Sequence, residues 1–248
     1  MSGARVVVLG GTKGMGRAVA RQLAARGDRV VLLGRDLQEL ERSAADLAVR
    51  SGGSALPSAR CDLADPSTFA PALAAAREVL GGLDRVVVTA ADFATQAALE
   101  ESPERAVALC TTNFANTVGF CEHARGLLLE GGEGVLCVFS SVAGDRGRKP
   151  VVIYGASKAG LSAYLEGLDH TYRAAGLRTV CVKPGFVHTS MTAGLSPPPF
   201  AGQPEEVASR AIAAMDRGTP VVYAPSMWRW VMLVIRSLPR AIMRRVGF

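Results

Sequence analysis

The chain has 248 residues, 49% hydrophobic and 20% charged, with a formal net charge of +6, which excludes a disordered protein and leaves enough chain to bury a substantial core. Its five cysteines (Cys61, Cys110, Cys121, Cys137, Cys181) are odd in number and show neither CxxC nor metal-ligand spacing, so they read as reduced packing residues of a cytoplasmic protein with no metal site. The apolar run after Met1 is too short for a signal peptide or a spanning helix, and no nucleic-acid partner is expected.

Residues 5–9 (Arg-Val-Val-Val-Leu) predict a buried strand. Gly10-Gly11-Thr12-Lys13-Gly14-Met15-Gly16 then opens a helical pattern that Gly27 stops. Strand, glycine turn and helix in this order suit a pyrophosphate, because glycines let the backbone approach it and the helix N-terminus offers free N–H groups. A second strand, Arg29 to Leu33, ends at Gly34-Arg35, where a dinucleotide fold would place an acid for the adenosine ribose. The acid is absent. Arg35 and Lys13 stand instead at the two places where a 2′-phosphate would be met, so NADP(H) is expected over NAD(H), with Asp36 as a competitor if the turn is displaced by one residue.

The pattern continues with a helix over 37–50, a weaker strand over 55–60 and Cys61-Asp62-Leu63 at its end. Asp62 could meet the adenine amino group or lead the next helix, which starts at Asp65-Pro66 with an N-cap and a first-turn proline. Asp84 precedes a strand over 85–89 that ends in Ala90-Ala91, and Ser102-Pro103 starts a long helix carrying Asn113. A strand over 134–140 ends in Ser140-Ser141. The next helix carries Tyr154 and Lys158 and runs to Gly176, followed by strand 177–182, Pro184-Gly185, a proline-rich loop, helix 204–217 and a last strand at 221–223. Seven strands alternating with helices predict one doubly wound, Rossmann-like parallel sheet covered on both faces, within a single domain over residues 1–224.

Tyr154 and Lys158, four residues apart, share a helix face, and a cation beside a phenol favours the phenolate and lowers its pKa. With Gly10-xxx-Gly14-x-Gly16, Asn113, Ser141, Tyr154-xxx-Lys158 and Pro184-Gly185-x-Val187-x-Thr189 in this order, the chain resembles the short-chain dehydrogenase/reductase family in its single-domain branch, over residues 5 to about 223. The resemblance implies that Tyr154 protonates the developing alkoxide during reduction, while Lys158 lowers its pKa and holds the nicotinamide ribose. Ser141 would hydrogen-bond the substrate carbonyl, and Asn113 would support a water-mediated relay to Lys158. Strand alternation sends Ser140 and Ser141 to opposite sides, and the family spacing selects Ser141. Cofactor contacts are implied for Gly10, Thr12, Lys13, Gly14, Met15 and Gly16, for Arg35, Asp62, Leu63 and Ala90, and for Pro184, Gly185, Val187 and Thr189. One departure is Val88-Thr89-Ala90-Ala91 in place of the family's Asn-Asn-Ala-Gly.

The loop Gly144–Pro150 is basic, through Arg146, Arg148 and Lys149, and is expected to meet an anionic feature of a ketone or aldehyde substrate, which includes lipid-linked and carrier-linked carbonyls. The loop over 190–202, with Met191, Leu195 and Phe200 around Pro197-Pro198-Pro199, suits a lid over a partly apolar substrate or a cover for the core; His188 reads as an exposed loop residue, the alternative being a substrate contact. The tail over 225–248 holds five arginines and no acid. It reads either as an interfacial helix making peripheral contact with anionic lipid at the inner face of a membrane or as a contact within a homodimer or homotetramer. The tail is also similar, more weakly, to decaprenylphosphoryl-pentose 2-keto reductases. The expected activity is NADPH-dependent carbonyl reduction; the alternative is a catalytically silent NADP(H)-binding sensor or scaffold.

Overall fold

The computed structural model describes residues 3–51 and 55–247; residues 1–2, 52–54 and 248 of the predicted domain and tail lie outside them. Short valine-rich runs form the strands and amphipathic segments the helices. In chain order these are β1 (Arg5–Leu9), α1 (Gly14–Ala25), β2 (Arg29–Gly34), α2 (Leu37–Ser51), β3 (Ser58–Arg60), α3 (Phe69–Leu80), β4 (Arg85–Val88), α4 (Gln96–Glu100), α5 (Pro103–Cys110), α6 (Thr117–Glu130), β5 (Gly134–Phe139), α7 (Val152–Tyr172), β6 (Leu177–Pro184), α8 (Pro204–Arg217), β7 (Val221–Ala224), α9 (Met227–Ser237) and α10 (Arg240–Met243). The seven strands make one parallel sheet in the order β3-β2-β1-β4-β5-β6-β7.

Alternation along each strand builds two apolar layers. Val6, Val8, Val30, Leu32 and Val182 point to one face and pack with α1, α2 and α8, while Val7, Leu9, Val31, Val86 and Val138 point to the other and meet α3, α6 and α7. The strand order reverses between β1 and β4, so their C-terminal ends diverge into a crevice, where a doubly wound sheet binds its ligand. The glycine turn after β1, Thr89–Ala91 after β4, Ser140-Ser141 after β5 and Pro184-Gly185 after β6 all open on this edge.

Two local differences from the sequence reading have clear causes. The third strand begins only at Ser58, because Pro57 brings no N–H to the ladder and pairs solely through its carbonyl, which accepts from Leu32 N at 2.9 Å. The long helix begun at Ser102, whose hydroxyl accepts from Arg105 N, is interrupted at Thr111–Asn116 by a π turn that contains Asn113.

Candidate active site

The glycine turn is built by close backbone approach. Gly10 has φ 90°, and a Cβ there would stand 2.6 Å from Ala90 N and 2.7 Å from Thr89 Oγ1. A Cβ on Gly16 would collide with the Gly10 carbonyl and with the same Thr89 hydroxyl. Thr89, which replaces the family's asparagine, therefore seals the crossing of the turn over β4, and its hydroxyl donates to Leu9 O at 3.0 Å. Lys13 precedes α1 with no side-chain cap, which leaves the first N–H groups of the helix for an anion. This turn, whose crossing over β4 tolerates no Cβ at Gly10 or Gly16, with the open N-terminus of α1 behind it, fits the pyrophosphate of a dinucleotide.

At the end of β2, Arg35 is exposed, and no ion pair forms to it among the described residues. Asp36 is committed elsewhere: its carboxylate accepts from Glu39 N at 3.1 Å at the start of α2. Lys13 lies 3.4 Å from Glu39, which also pairs with Arg42. Asp62 accepts from Ala64 N at 3.0 Å and faces Arg60 at 3.8 Å, in a turn that also carries Leu63.

The four chemistry-bearing residues come from two crossovers, Asn113 from that between β4 and β5 and Ser141, Tyr154 and Lys158 from that between β5 and β6. Ser140 and Ser141 diverge as alternation requires. Ser140 donates to Lys158 O at 2.9 Å and meets Ser162 Oγ at 2.7 Å, which fastens the end of β5 to α7. Ser141 accepts from Ala143 N at 3.0 Å and donates to Pro184 O at 3.5 Å, and its hydroxyl is near enough to the Tyr154 phenol to favour the phenolate. The Ala143-Gly144 turn then lies directly on α7, because Gly155 has no side chain: a Cβ there would stand 2.8 Å from Ala143 O. Phe93 stacks edge-on against the Tyr154 ring at 5.2 Å.

Lys158 is 2% exposed, and its ammonium donates to Phe139 O at 3.0 Å. Burial lowers its pKa to about 8. The expectation that this cation would depress the phenol pKa is not met in the cofactor-free chain. Burial instead pushes Tyr154 up to about 12, opposed by the nearby Ser141 hydroxyl, and Lys158 Nζ stands 5.8 Å from the ring centroid. Asn113 is fully buried, and its side-chain amide is engaged on both sides: Oδ1 accepts from Asp92 N at 2.7 Å and Nδ2 donates to Asp92 O at 2.8 Å.

Past β6, Pro184-Gly185 leads into a segment in which Val187 is buried and Thr189 and Thr192 form a reciprocal cap. A Cβ on Gly14 would stand 3.3 Å from Thr189 Cγ2, so this segment reaches the glycine turn. His188 is exposed, with its ring against Phe186. Met191, Leu195 and Phe200 are exposed, and Phe200 holds φ 68°, a conformation rare for a bulky residue and frequent near functional sites.

The basic loop departs from the expectation that it faces the substrate. Arg146 donates to Leu238 O at 2.9 Å, at the C-terminus of α9, and Lys149 to Arg244 O at 2.7 Å, at the C-terminus of α10. These cations satisfy helix-end carbonyls. The cleft they line abuts Val152, Ala156 and Ala159, roughly 140–160° around α7 from Tyr154 at about 100° per residue.

Several site residues had no marker in the sequence. Phe93 and Asp92 sit in an irregular loop without motif or period. Trp228 did carry a signal: 228, 232 and 235 share a helix face, and the structure buries all three, with the indole so close to Gly185 that no side chain fits there.

A glycine cradle at the switch point of a parallel sheet, beside a tyrosine, serine and buried lysine, is the arrangement of a dinucleotide-dependent oxidoreductase. The short chain dehydrogenase model matches residues 4–199, and the chain belongs to that family. It is 34% identical over 243 residues to an uncharacterized oxidoreductase of Mycobacterium tuberculosis, covering 98% of this chain and 97% of that one. It is 31% identical to carbonyl reductase family member 4 of Danio rerio, covering 89% and 88%. Among solved structures, an actinorhodin polyketide ketoreductase with NADPH superposes with a TM-score of 0.80 at 22% identity, covering 89% of this chain and 95% of that one. Among the described residues no helix is long and apolar enough to cross a membrane, and no cluster of three or more His, Cys, Asp or Glu could hold a metal ion.

Proposed function

We propose that the protein is an NADPH-dependent reductase that converts a ketone or aldehyde to an alcohol, with Tyr154 as the acid. The observation that carries this reading is the buried Lys158 ammonium, 5.8 Å from the centre of the Tyr154 ring, with Ser141 beside them at the end of β5 where the sheet crevice opens. When bound, the nicotinamide cofactor supplies the hydride. Ser141 orients the carbonyl oxygen, and Tyr154 gives its hydroxyl proton to that oxygen as the alcohol forms. A phenol held protonated up to about pH 12 is a donor throughout the physiological range. The phenolate left behind needs a proton, and the Lys158 ammonium, titrating near 8, is the adjacent source. Asp92 takes one donor and one acceptor of the Asn113 amide, which leaves a water relay its second N–H and lone pair together with the backbone of its π turn.

Preference for the 2′-phosphate is supported by Arg35, which is exposed and unpaired while Asp36 is tied to α2. The NADPH of the ketoreductase neighbour agrees with it. Exposed Met191, Leu195 and Phe200 favour a partly apolar substrate. The catalytically silent alternative has little support, since acid, orienting hydroxyl and lysine are all in place.

The test is NADPH oxidation against a panel of aliphatic, aromatic and thioester-linked ketones, with Tyr154→Phe as control. Turnover on at least one member, lost by roughly a thousandfold or more in the variant with NADPH binding intact, is the expected result. Wild-type rates in Tyr154→Phe would overturn the assignment.

A further inference from the structure

Helix α9 has two apolar faces and only one partner. Trp228, Met232 and Ile235 face inward, packing with Val142, Tyr223 and Met243. On the opposite side of the helix, at about 100° per residue, stand Met227, Trp230, Leu233 and Val234, exposed by 45%, 61%, 55% and 61%. Ile242 on α10 adds a fifth exposed apolar side chain. A helix apolar all round is ordinarily buried, so this outer face is an unpartnered surface.

Its surroundings select the occupant. After Asp216 the chain has no acidic residue, while Arg229, Arg236, Arg240, Arg244 and Arg245 border α9 and α10. Between α10 and the 144–149 loop lies a cleft of about 600 Å³ lined by Arg146, Arg148, Lys149, Arg240 and Arg244, without a single carboxylate. Arg148 Nε is buried there with no hydrogen-bond partner. A second copy of this chain laid face to face would set these cations against their own equivalents, which is repulsive. A flat anionic surface with an apolar interior matches both the charge and the exposed side chains.

We propose that α9 and α10 dock the protein peripherally on an anionic phospholipid bilayer, with Met227, Trp230, Leu233, Val234 and Ile242 entering the interface and the bordering arginines meeting lipid phosphates. An eleven-residue helix, roughly 16 Å long at 1.5 Å per residue, lies in the interface and does not span it. Trp228 Nε1 donates to Phe200 O at 3.2 Å, so the docked helix abuts the loop that carries Met191, Leu195 and Phe200. This inference does not depend on the reductase reading.

The full chain is sedimented with vesicles of phosphatidylcholine alone and of phosphatidylcholine with phosphatidylglycerol. Of the two tryptophans, Trp228 is buried and Trp230 exposed, so a blue shift of emission reports Trp230. The expected result is binding with a blue shift on the anionic vesicles only, weakened by salt and by about fivefold for Arg229→Gln. The triple variant Trp230→Ser/Leu233→Ser/Val234→Ser loses binding while keeping NADPH affinity, which certifies its fold. Three outcomes overturn the proposal: no sedimentation with anionic vesicles, equal binding to both vesicle types, or unchanged binding of the triple variant. Loss of a wild-type oligomer in the triple variant without lipid binding would instead make the face a contact between copies.

Discussion

Lys158 offers a test of the active site that needs no substrate. Its side chain is 2% exposed and its pKa falls from the ordinary 10.5 to about 8 through burial. At about 1.4 kcal/mol for each tenfold change in proton affinity, holding the charged amine in place costs the folded chain about 3 kcal/mol. Replacing it by methionine, of similar reach and uncharged, removes that cost and leaves Phe139 O without its donor, a loss of about 1 kcal/mol. Lys158→Met should therefore stabilise the cofactor-free protein by about 2 kcal/mol at pH 7, or roughly 4–8 °C for a chain of this length. The sign with pH follows from the two proton affinities. Below pH 8 the lysine is protonated both folded and unfolded, and the folded state bears the whole penalty. Between pH 8 and 10.5 the folded lysine gives up its proton first, so wild-type stability rises and the advantage of the variant shrinks toward zero. Urea or thermal unfolding at pH 7 and pH 10 measures both ends, and turnover should be lost in the same variant. A variant less stable than wild type at pH 7, or a gain that persists unchanged at pH 10, would refute the reasoning.

Arg35→Ser should raise the KM for NADPH by roughly ten- to a hundredfold, the worth of a charge-assisted contact to a phosphate, and leave NADH kinetics unaltered. Gly185→Ala drives a methyl into the Trp228 indole; about 2 kcal/mol of destabilisation is expected, and Trp228→Phe in the same chain should recover part of it in urea unfolding. Asp145 holds Lys183 at 2.6 Å and the Tyr223 hydroxyl at 2.7 Å, with side chains 2% and 13% exposed for the ion pair. Asp145→Asn leaves the lysine charge buried without its partner and should cost about 3 kcal/mol by the same measurement.

The sheet could be read from the sequence because its valine runs are short, bounded by glycine, and separated by helical periods. The glycine turn could be read because strand and helix flank it. Alternation separated Ser140 from Ser141 and the family spacing chose the second, while the bond of Ser140 to Lys158 O came only with the structure. What could not be read depends on contacts distant in sequence. Nothing local to Asn113 announces a π turn or the pairing of its amide with Asp92, 21 residues away. The direction of the Tyr154 pKa turns on how deeply the phenol is buried, and helix spacing carries no information about depth. Arg146 and Lys149 looked like free cations because the carbonyls that take them lie 92 and 95 residues further on. Thr89 looked like a lost motif position until its hydroxyl was found closing the crossing over Gly10 and Gly16.

The two faces of α9 give the tail two roles that substitutions can separate. The inner face is part of the catalytic wall: Trp228 fills the space beside Gly185, its indole N–H holds Phe200 O, and it packs on Val142, the neighbour of Ser141. Deleting everything after Ala224 would remove this support together with the docking surface, so loss of both activity and lipid binding in a truncated chain would identify neither. The outer face touches none of these groups. Substitutions at Trp230, Leu233 and Val234 should abolish docking while reduction of a water-soluble carbonyl continues at the wild-type rate, and Trp228→Ala should impair that reduction even where no lipid is present.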